Sequence, residues 1–330
     1  MTKKKLISTK MKVFMLSLLL GSVIAFSFAG VILYNSGFSF ANYFNVAEWQ
    51  LGLLSHSDYN YSFSSDEKYS INQDLNGIEE LNVDFNGYTV YFENYEGPNL
   101  ALETSNRFLD LDENSTDSPF EISYEGNKLT VKPNKSILSN VNENYLFIIK
   151  IPYSYNKNLN INSVCGSIKL DSSQLINLNI NSINCDVMLS NLNCENATIN
   201  ITNGNIATNA FVSKVFNAST INGNINSTPI SGEIKLSTIS GDISALLTNS
   251  VTKLDASTTS GNIHFNLPVE SNFTFNYSTI NGEFYQDLHE VSSTIKEPSK
   301  SSEGNITFST GTGDNKINVK TVNGNLTLTN

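Results

Sequence analysis

The stretch STINGNI at residues 219–225 is one copy of a short phrase that recurs through the second half of the chain. Most successive copies are separated by roughly 19 to 22 residues and two steps by about 9, a short, steady period that is typical of solenoids, in which each repeat stacks on its neighbours. The other clear copies are STISGDI (237–243), STTSGNI (257–263), STINGEF (278–284) and KTVNGNL (320–326), and the weaker ones are NSVCGSI (162–168), NSINCDV (181–187), ITNGNI (201–206), ISGEI (230–234) and SEGNI (302–306).

Apolar and polar residues alternate on both sides of the glycine in each copy, as in Leu254–Thr258 and Ile263–Phe265 around Gly261. Such alternation indicates half-buried strands, and Asn-Gly or Ser-Gly indicates a turn between them. The steady period favours coiling over hairpins, so the sequence predicts an all-β fold, a single-stranded β-solenoid (parallel β-helix-like) with coils of roughly 19–22 residues. The predicted structural turn glycines are Gly166, Gly204, Gly223, Gly232, Gly241, Gly261, Gly282, Gly304 and Gly324.

Stacked coils would align equivalent apolar residues into interior columns. If the coils stack in chain order, one column runs through Ile168, Val187, Ile206, Ile225, Ile243, Ile263, Phe284, Ile306 and Leu326. A second column, two positions further along each strand, runs through Leu170, Leu189, Phe265, Phe308 and Leu328. The last coil ends at Asn330 with no evident cap, although open sheet edges invite association.

The segment 1–34 differs from the rest of the chain. A basic tail at 1–12 precedes an uncharged apolar run at 13–34, long enough for a transmembrane helix. Because the lysines lie on one side only, the N-terminus would be cytoplasmic and the C-terminal part extracellular, giving a single-pass protein of the cell membrane. The alternative is a signal peptide cleaved near Ala29, which would leave a secreted protein. No cysteine lies near this segment, so a lipoprotein anchor is not expected.

The remaining chain divides into three predicted parts. Residues 35–60 read as a juxtamembrane connector, residues 61–155 as an N-terminal β cap or early coils, and residues 156–330 as the β-solenoid repeats. Residues 287–303 depart from the repeat and are predicted to form a loop.

The net charge of the chain limits the classes of molecule that are expected to bind it. The chain has 20 basic and 31 acidic residues. Without the five lysines of the basic tail, 15 basic and 31 acidic residues remain, a net charge of −16. A field of that sign repels nucleic acid and anionic lipid headgroups, and leaves cationic partners, neutral glycans or metal-bridged polymers.

Acidic residues follow the turn glycine in some copies, at Glu233, Asp242 and Glu283, and Asp186 follows Cys185. Carboxylates on adjacent coils could lie about 5 Å apart, the separation that retaining glycosidases use. The same slot holds asparagine or serine in the other copies, which indicates a polar corner. We therefore predict no catalytic, cofactor-binding or metal-binding residues, no cofactor and no enzyme activity.

Cysteines and aromatic residues complete the candidates. The chain has an odd number of cysteines for an exported protein, Cys165, Cys185 and Cys194. We interpret them mainly as small buried residues, although Cys165 and Cys185 could approach each other on neighbouring coils.

Alternate aromatic residues of a strand would point outward and could stack on sugar rings or a partner's side chains. Burial against a loop or cap is the alternative. The candidate binding aromatics are Phe273, Phe275, Tyr277 and Tyr285.

With these repeats, the chain resembles the bacterial putative-adhesin family, a domain of unknown function found in many Gram-positive envelopes. The resemblance rests on the repeated phrase and on Gly126–Val131 followed by Phe147–Pro152, and covers roughly residues 75–330. It implies a surface β-solenoid behind one transmembrane helix, in some members tied to envelope stress, and it carries no established catalytic residues.

The leading functional prediction is a non-enzymatic, membrane-anchored cell-surface protein, an adhesin or an envelope-associated binding or stress-response module. Its partner would be a cell-envelope polymer, a host surface or a membrane protein. The alternatives are a carbohydrate-active β-helix enzyme acting on envelope or host polysaccharide, and an ectodomain that restrains a signalling partner through the membrane helix.

Overall fold

The computed structural model describes residues 68–105, 118–135, 138, 146–288, 299–300 and 305–330. All of them belong to the second of two compact units, which spans residues 62–330. The predictions for residues 1–67, including the basic tail, the apolar run and the connector, lie outside the described residues. Within the described part of the chain, no helix is long and apolar enough to span a membrane.

The described residues are all β, as the alternating pattern predicts, and the strands form one sheet. Its first strands are β1 (Lys68–Gln73), β2 (Glu80–Tyr95), β3 (Leu100–Ser105), β4 (Phe120–Glu125), β5 (Lys128–Pro133), β6 (Leu146–Pro152), β7 (Asn158–Asp171), β8 (Gln174–Ser190), β9 (Asn193–Asn203) and β10 (Ile206–Asn209). The remaining strands are β11 (Val212–Asn222), β12 (Ile225–Ser240), β13 (Ile243–Ser260), β14 (Ile263–Asn266), β15 (Phe273–Ser278), β16 (Phe284–Asp287), β17 (Ser299–Lys300), β18 (Asn305–Ser309), β19 (Asn315–Asn323) and β20 (Leu326–Thr329).

From β7 to β14, each coil of the chain pairs in parallel with the next, in a solenoid-like stack. Leu159 pairs with Leu178 and Ile180 with Ile199, so register partners are equivalent positions of successive coils. One column of inward residues links the coils on one face and is buried throughout. Its members, in stacking order, are Leu129, Leu81, Leu159, Leu178, Ala197, Phe216, Ile234, Leu254, Ile317 and Phe275.

At the C-terminal end, the coils do not stack in chain order. The last coil of the sequence, β19 and β20, pairs with β13 and β14 on one side. On its other side it pairs with β15 and β16, which precede it in the chain. The N-terminal end repeats this arrangement, because β2 lies between β7 on one side and β5 and β6 on the other.

This insertion corrects the predicted interior columns. The order at the end of the first column is Ile263, then Leu326, then Phe284, and Ile306 does not belong to it. Ile306 and Phe308 instead lie on an antiparallel strand, where Phe308 pairs with Phe275 and their rings stack at 4.7 Å.

Antiparallel strands cover the N-terminal end of the stack and part of the C-terminal end, where β16 pairs with β20 and with no other described strand. At the N-terminal end, β4 pairs with β5, β3 with β6, and β1 with β3. At the C-terminal end, β18 pairs with β15 and β17 with β18. The expectation of an uncapped last coil is therefore wrong, because the final coil lies inside the stack and the strand edge beyond β15 is paired.

Candidate functional site

The turn glycines form a column, and at the positions that glycine holds the coils approach each other too closely for a side chain. A Cβ on Gly223 would lie 1.9 Å from the carbonyl oxygen of Gly204, and one on Gly241 would lie 2.0 Å from that of Gly223. Since both contacts are to backbone, no rotamer change relieves them. The column comprises Gly166, Cys185, Gly204, Gly223, Gly241, Gly261, Gly324 and Gly282 in stacking order.

Two predicted turn glycines differ from this column. Gly232 lies at another corner of its coil, against the carbonyl oxygens of Ser213 and Lys214, with φ of +87°. This position accounts for the two short steps of the repeat. Gly304 lies outside the described residues.

The threonine of the phrase points inward and satisfies a backbone group at the corner. The Thr238 hydroxyl donates to the carbonyl oxygen of Gly223 at 3.0 Å, and Thr258 does the same for Gly241 at 3.1 Å. Thr220 bonds Gly204 in the same way. A buried carbonyl needs such a partner, because leaving it unpaired is unfavourable.

The polar side chain that follows the corner glycine accepts a hydrogen bond from a backbone N–H of the next coil. The Asn224 side chain accepts the backbone N–H of Asp242 at 2.8 Å, and the Asp242 side chain accepts that of Asn262 at 2.6 Å. Asparagine and aspartate both supply this oxygen, which explains why they interchange. Asp242 therefore stands between two asparagines, and the stacking of this slot brings no two carboxylates onto adjacent coils. Glu233 lies outside this slot, and its register partners on the neighbouring coils are Val215 and Lys253.

The isoleucine two residues before the corner position is the apolar residue of the phrase that faces solvent. Ile221 and Ile239 are 43% and 50% exposed, and Ile280 is 75% exposed. Ile183 occupies the same position in an earlier coil.

Three of the four candidate binding aromatics are core residues, so for them burial, the alternative interpretation, is correct and the outward-facing interpretation is wrong. Phe273, Phe275 and Tyr277 are at most 1% exposed. They occupy alternate positions of β15 and all point inward, and the Tyr277 hydroxyl donates to the carbonyl oxygen of Gly324 at 3.0 Å. Tyr285 is half exposed and donates to Glu283. The strand pattern alone does not say which face is inward.

Two of the three cysteines behave as small core residues, as the main interpretation of the sequence predicts. Cys185 and Cys194 are buried, and burial raises the pKa of each thiol to about 12. Cys165 lies with its Sγ 3.0 Å from Thr89 Oγ1. The three form no disulfide bond, although Cys165 and Cys185 lie on adjacent coils.

An open groove of about 630 Å³ lies on the outer face of the coils at the C-terminal end of the stack. A continuous chain of hydrogen bonds crosses it from strand to strand. Thr307 donates to Asn276 at 3.2 Å, Asn276 to Asn318 at 3.0 Å, and Asn318 to the Asp255 carboxylate at 2.7 Å. Lys235 and Lys320 also line the groove. We call this feature the C-terminal groove.

Asp255 and the lysines around it are the charged residues of the groove. Partial burial alone would raise the pKa of Asp255, but the hydrogen bond from Asn318, the ion pair with Lys253 at 3.3 Å and the nearby charge of Lys235 together outweigh burial and lower it. Asp255 is therefore ionised at neutral pH, with its charge balanced by Lys253. Lys235 and Lys320 form no ion pair with any described residue.

A second, smaller groove of about 230 Å³ lies on the same face nearer the N-terminal end. Its polar lining is uncharged and consists largely of asparagine and serine, including Asn162, Asn181 and Asn200. These three side chains are bonded to one another in a ladder, at 3.2 and 3.1 Å. Within the described residues, no cluster of three or more metal-ligating side chains occurs in either groove or elsewhere.

Residues 78–329 match the model of the Toastrack DUF4097 family. The chain belongs to this family. The match spans the described stack from the start of its first parallel coil to the last strand, in agreement with the putative-adhesin resemblance of the sequence. A search of the curated proteins finds no match.

Solved structures similar to this Toastrack DUF4097 chain include a putative adhesin from Bacteroides fragilis, at 12% identity, 80% coverage of this chain and 98% of that chain, with a TM-score of 0.45. A putative cell adhesion protein from Clostridium sporogenes shows the same identity and coverages with a TM-score of 0.29. A putative lipid binding protein from Parabacteroides distasonis has 14% identity, coverages of 79% and 97%, and a TM-score of 0.33.

The sequence patterns considered above do not predict the C-terminal groove of this Toastrack DUF4097 chain. One signal was available, because Lys316, Asn318 and Lys320 alternate on one strand and must share a face. Their position beside Asp255 depends on the insertion of the last coil, and no local pattern encodes that order.

Proposed function

We propose that this Toastrack DUF4097 chain is a non-enzymatic binding protein of the cell surface, and that its ligand is a polymer of the cell envelope. The observation that carries the proposal is the C-terminal groove. Its side chains offer hydrogen-bond donors and acceptors on strands held by a stack of coils, and its volume lies within the usual range of ligand sites, about 300 to 1,000 Å³.

The chemistry of the glycine corner supports binding over catalysis. Asp186 and Asp242, two acidic residues of the repeated slot, accept backbone N–H groups and so contribute to the stacking of the coils, whereas Glu283 accepts the Tyr285 hydroxyl. A retaining glycosidase needs two carboxylates about 5 to 5.5 Å apart, and this slot separates its carboxylates by asparagine-bearing coils.

The sequence supplies the rest of the proposal. A transmembrane helix at 13–34 would hold the protein in the cell membrane with the stack outside. Protease treatment of intact cells tests this arrangement. Digestion of the stack with retention of a membrane-bound N-terminal fragment is expected, whereas a mature N-terminus near residue 30 would establish the cleaved, secreted form instead.

The binding proposal is tested by sedimentation of the full chain, in detergent micelles, with isolated cell-wall sacculi. Saturable co-sedimentation is the expected result. Absence of binding to sacculi would overturn the envelope-polymer proposal and direct attention to host surfaces or a membrane partner. Release of soluble glycan fragments during the incubation would contradict a non-enzymatic role.

A further inference from the structure

The C-terminal groove has a local charge opposite to that of the chain. Three neighbouring strand segments, 233–240, 253–260 and 315–323, carry four lysines and two carboxylates, a net charge of +2. The exported chain as a whole has a net charge of −16, by the count of 15 basic and 31 acidic residues. The lysines are Lys235, Lys253, Lys316 and Lys320, and the carboxylates are Glu233 and Asp255.

The strand register places like charges side by side at this point. Lys253 and Lys316 are direct partners on adjacent coils, and Lys316 has Thr274 on its other side. Like charges directly opposite each other destabilise a sheet. The ion pair of Lys253 with Asp255 offsets part of this repulsion, and the register gathers positive charge on the face that carries the groove.

The lysines that line the groove flank its row of hydrogen-bonding groups. Lys235 is the register partner of Asp255, and Lys320 lies between Ser257 and Ser278. Both lysines are exposed and, among the described residues, form no ion pair. Between Lys235 and Lys320 lie Asp255 and the amide group of Asn318, and Asn276 follows on the strand beyond Lys320.

We propose that the C-terminal groove binds a hydroxyl-rich polyanion, with Lys235 and Lys320 contacting its anionic groups. This inference rests on the proposed function and specifies its ligand. Ammonium groups bind phosphate or carboxylate by charge-assisted hydrogen bonds. The asparagine amides and Asp255, whose charge Lys253 balances, bind the hydroxyl groups of the backbone between the anionic groups.

The anionic groups are either the phosphates of a polyol-phosphate polymer or the carboxylates of a uronic-acid polysaccharide. A lysine ammonium is a compact point charge and binds both. The charge of the whole chain opposes the approach of a polyanion. Screening of that long-range repulsion by salt leaves short contacts in the groove less affected.

The test is fluorescence anisotropy of the full chain in micelles, titrated into labelled poly(glycerol phosphate), labelled polygalacturonate and labelled neutral dextran. The variant is Lys235→Gln/Lys320→Gln. Its matched control is Lys132→Gln/Lys169→Gln, which removes two exposed lysines that belong to no described ion pair and lie far from the groove in the stack.

The groove variant should bind the preferred polyanion about tenfold more weakly or worse, while the control stays within about twofold, as expected for loss of two charge-assisted contacts. The polymer bound more tightly identifies phosphate or carboxylate as the recognised group. Equal affinity of the groove variant and the wild type, or equal affinity for dextran and both polyanions, overturns the inference.

This experiment separates the inference from the proposed function. If the wild type sediments with sacculi and binds dextran as well as the polyanions, binding of an envelope polymer stands and recognition of anions fails. If the wild type binds neither sacculi nor any of the three polymers, both fail. The thermal unfolding midpoint of each variant is compared with that of the wild type, and because the substituted side chains are exposed, all should agree closely.

Discussion

The middle of the stack and its two ends are built from the same coils, yet they follow different rules of assembly. Between β7 and β14, each coil pairs with the coil that follows it in the chain. At each end, one coil is inserted between two others that are nearer to each other in sequence. Stacking order is therefore local in the middle and long-range at the ends.

The difference shows what the repeated phrase does and does not specify. The corner glycine, the capping threonine and the asparagine acceptor are compatible with any coil that carries the same phrase, so they do not select a neighbour. At the ends, insertion places the final coil inside the stack, with both of its edges paired, and leaves an antiparallel strand as the outer edge. Such an arrangement limits edge-to-edge association.

The largest effect is expected in a cross-linking test of the order in which the coils stack at the C-terminal end. We expect Ser257→Cys/Lys320→Cys to form a disulfide, because these positions are register partners and adjacent strands lie about 4.8 Å apart. Ser257→Cys/Ser278→Cys should not, because Lys320 lies between them and two strand spacings, about 9.6 Å, exceed the reach of a disulfide.

Both pairs are made in a chain whose three native cysteines are replaced by alanine, and the cross-links are mapped by peptide mass spectrometry. Stacking in chain order would reverse the outcome, with the 257–278 pair linked and the 257–320 pair reduced.

The next largest effect is expected at the glycine column of the middle coils. Gly223→Ala places a Cβ against the carbonyl oxygen of Gly204 and should lower the free energy of unfolding by about 3 kcal/mol. Gly126→Ala, in the turn between β4 and β5, meets no atom within 4 Å and suffers only from its φ of +62°, so a loss of about 1 kcal/mol is expected.

Urea unfolding of the full chain, followed by circular dichroism, measures both values. Equal losses for the two variants would show that backbone conformation, and not close approach, explains the glycines of the column.

A smaller effect is expected from the threonine cap. Thr238→Val keeps the shape of the side chain but leaves the Gly223 carbonyl oxygen without its hydroxyl donor, which should lower the free energy of unfolding by about 1 to 2 kcal/mol. Thr259→Val, on an exposed position of the next coil, should change it by less than about 0.5 kcal/mol. The same urea titration compares the two, and a Thr238→Val variant as stable as the wild type would remove the capping role.

The smallest effect is expected in how the stability of the fold depends on pH, through Asp255 at the C-terminal end. Burial raises the pKa of Asp255, but Asn318 and Lys253 together lower it below its ordinary value. A carboxyl group with a lowered pKa in the folded state stabilises the fold above its unfolded pKa of about 3.9, and this contribution is lost as pH falls through the folded pKa.

Asp255→Asn should therefore lose less stability than the wild type when the pH is lowered from 5 to 3, measured as the shift of the thermal unfolding midpoint. Asp171→Asn, an exposed carboxyl near the other end, serves as the control. Identical pH profiles for Asp255→Asn and the wild type would show that the ion pair and hydrogen bond do not stabilise the folded state.

The amino-acid sequence by itself determined the all-β class, the length of one coil, the corner glycines and the burial of most inward columns. These features are local, because alternation fixes which residues share a face and the Asn-Gly pair fixes where the chain turns. Only the tertiary structure decided which coils are neighbours at the ends, and with them the burial of Phe273, Phe275 and Tyr277 and the groove beside Asp255. Alternation separates the two faces of a strand but does not identify its partner, and that choice depends on contacts between residues as far apart as Ser257 and Lys320.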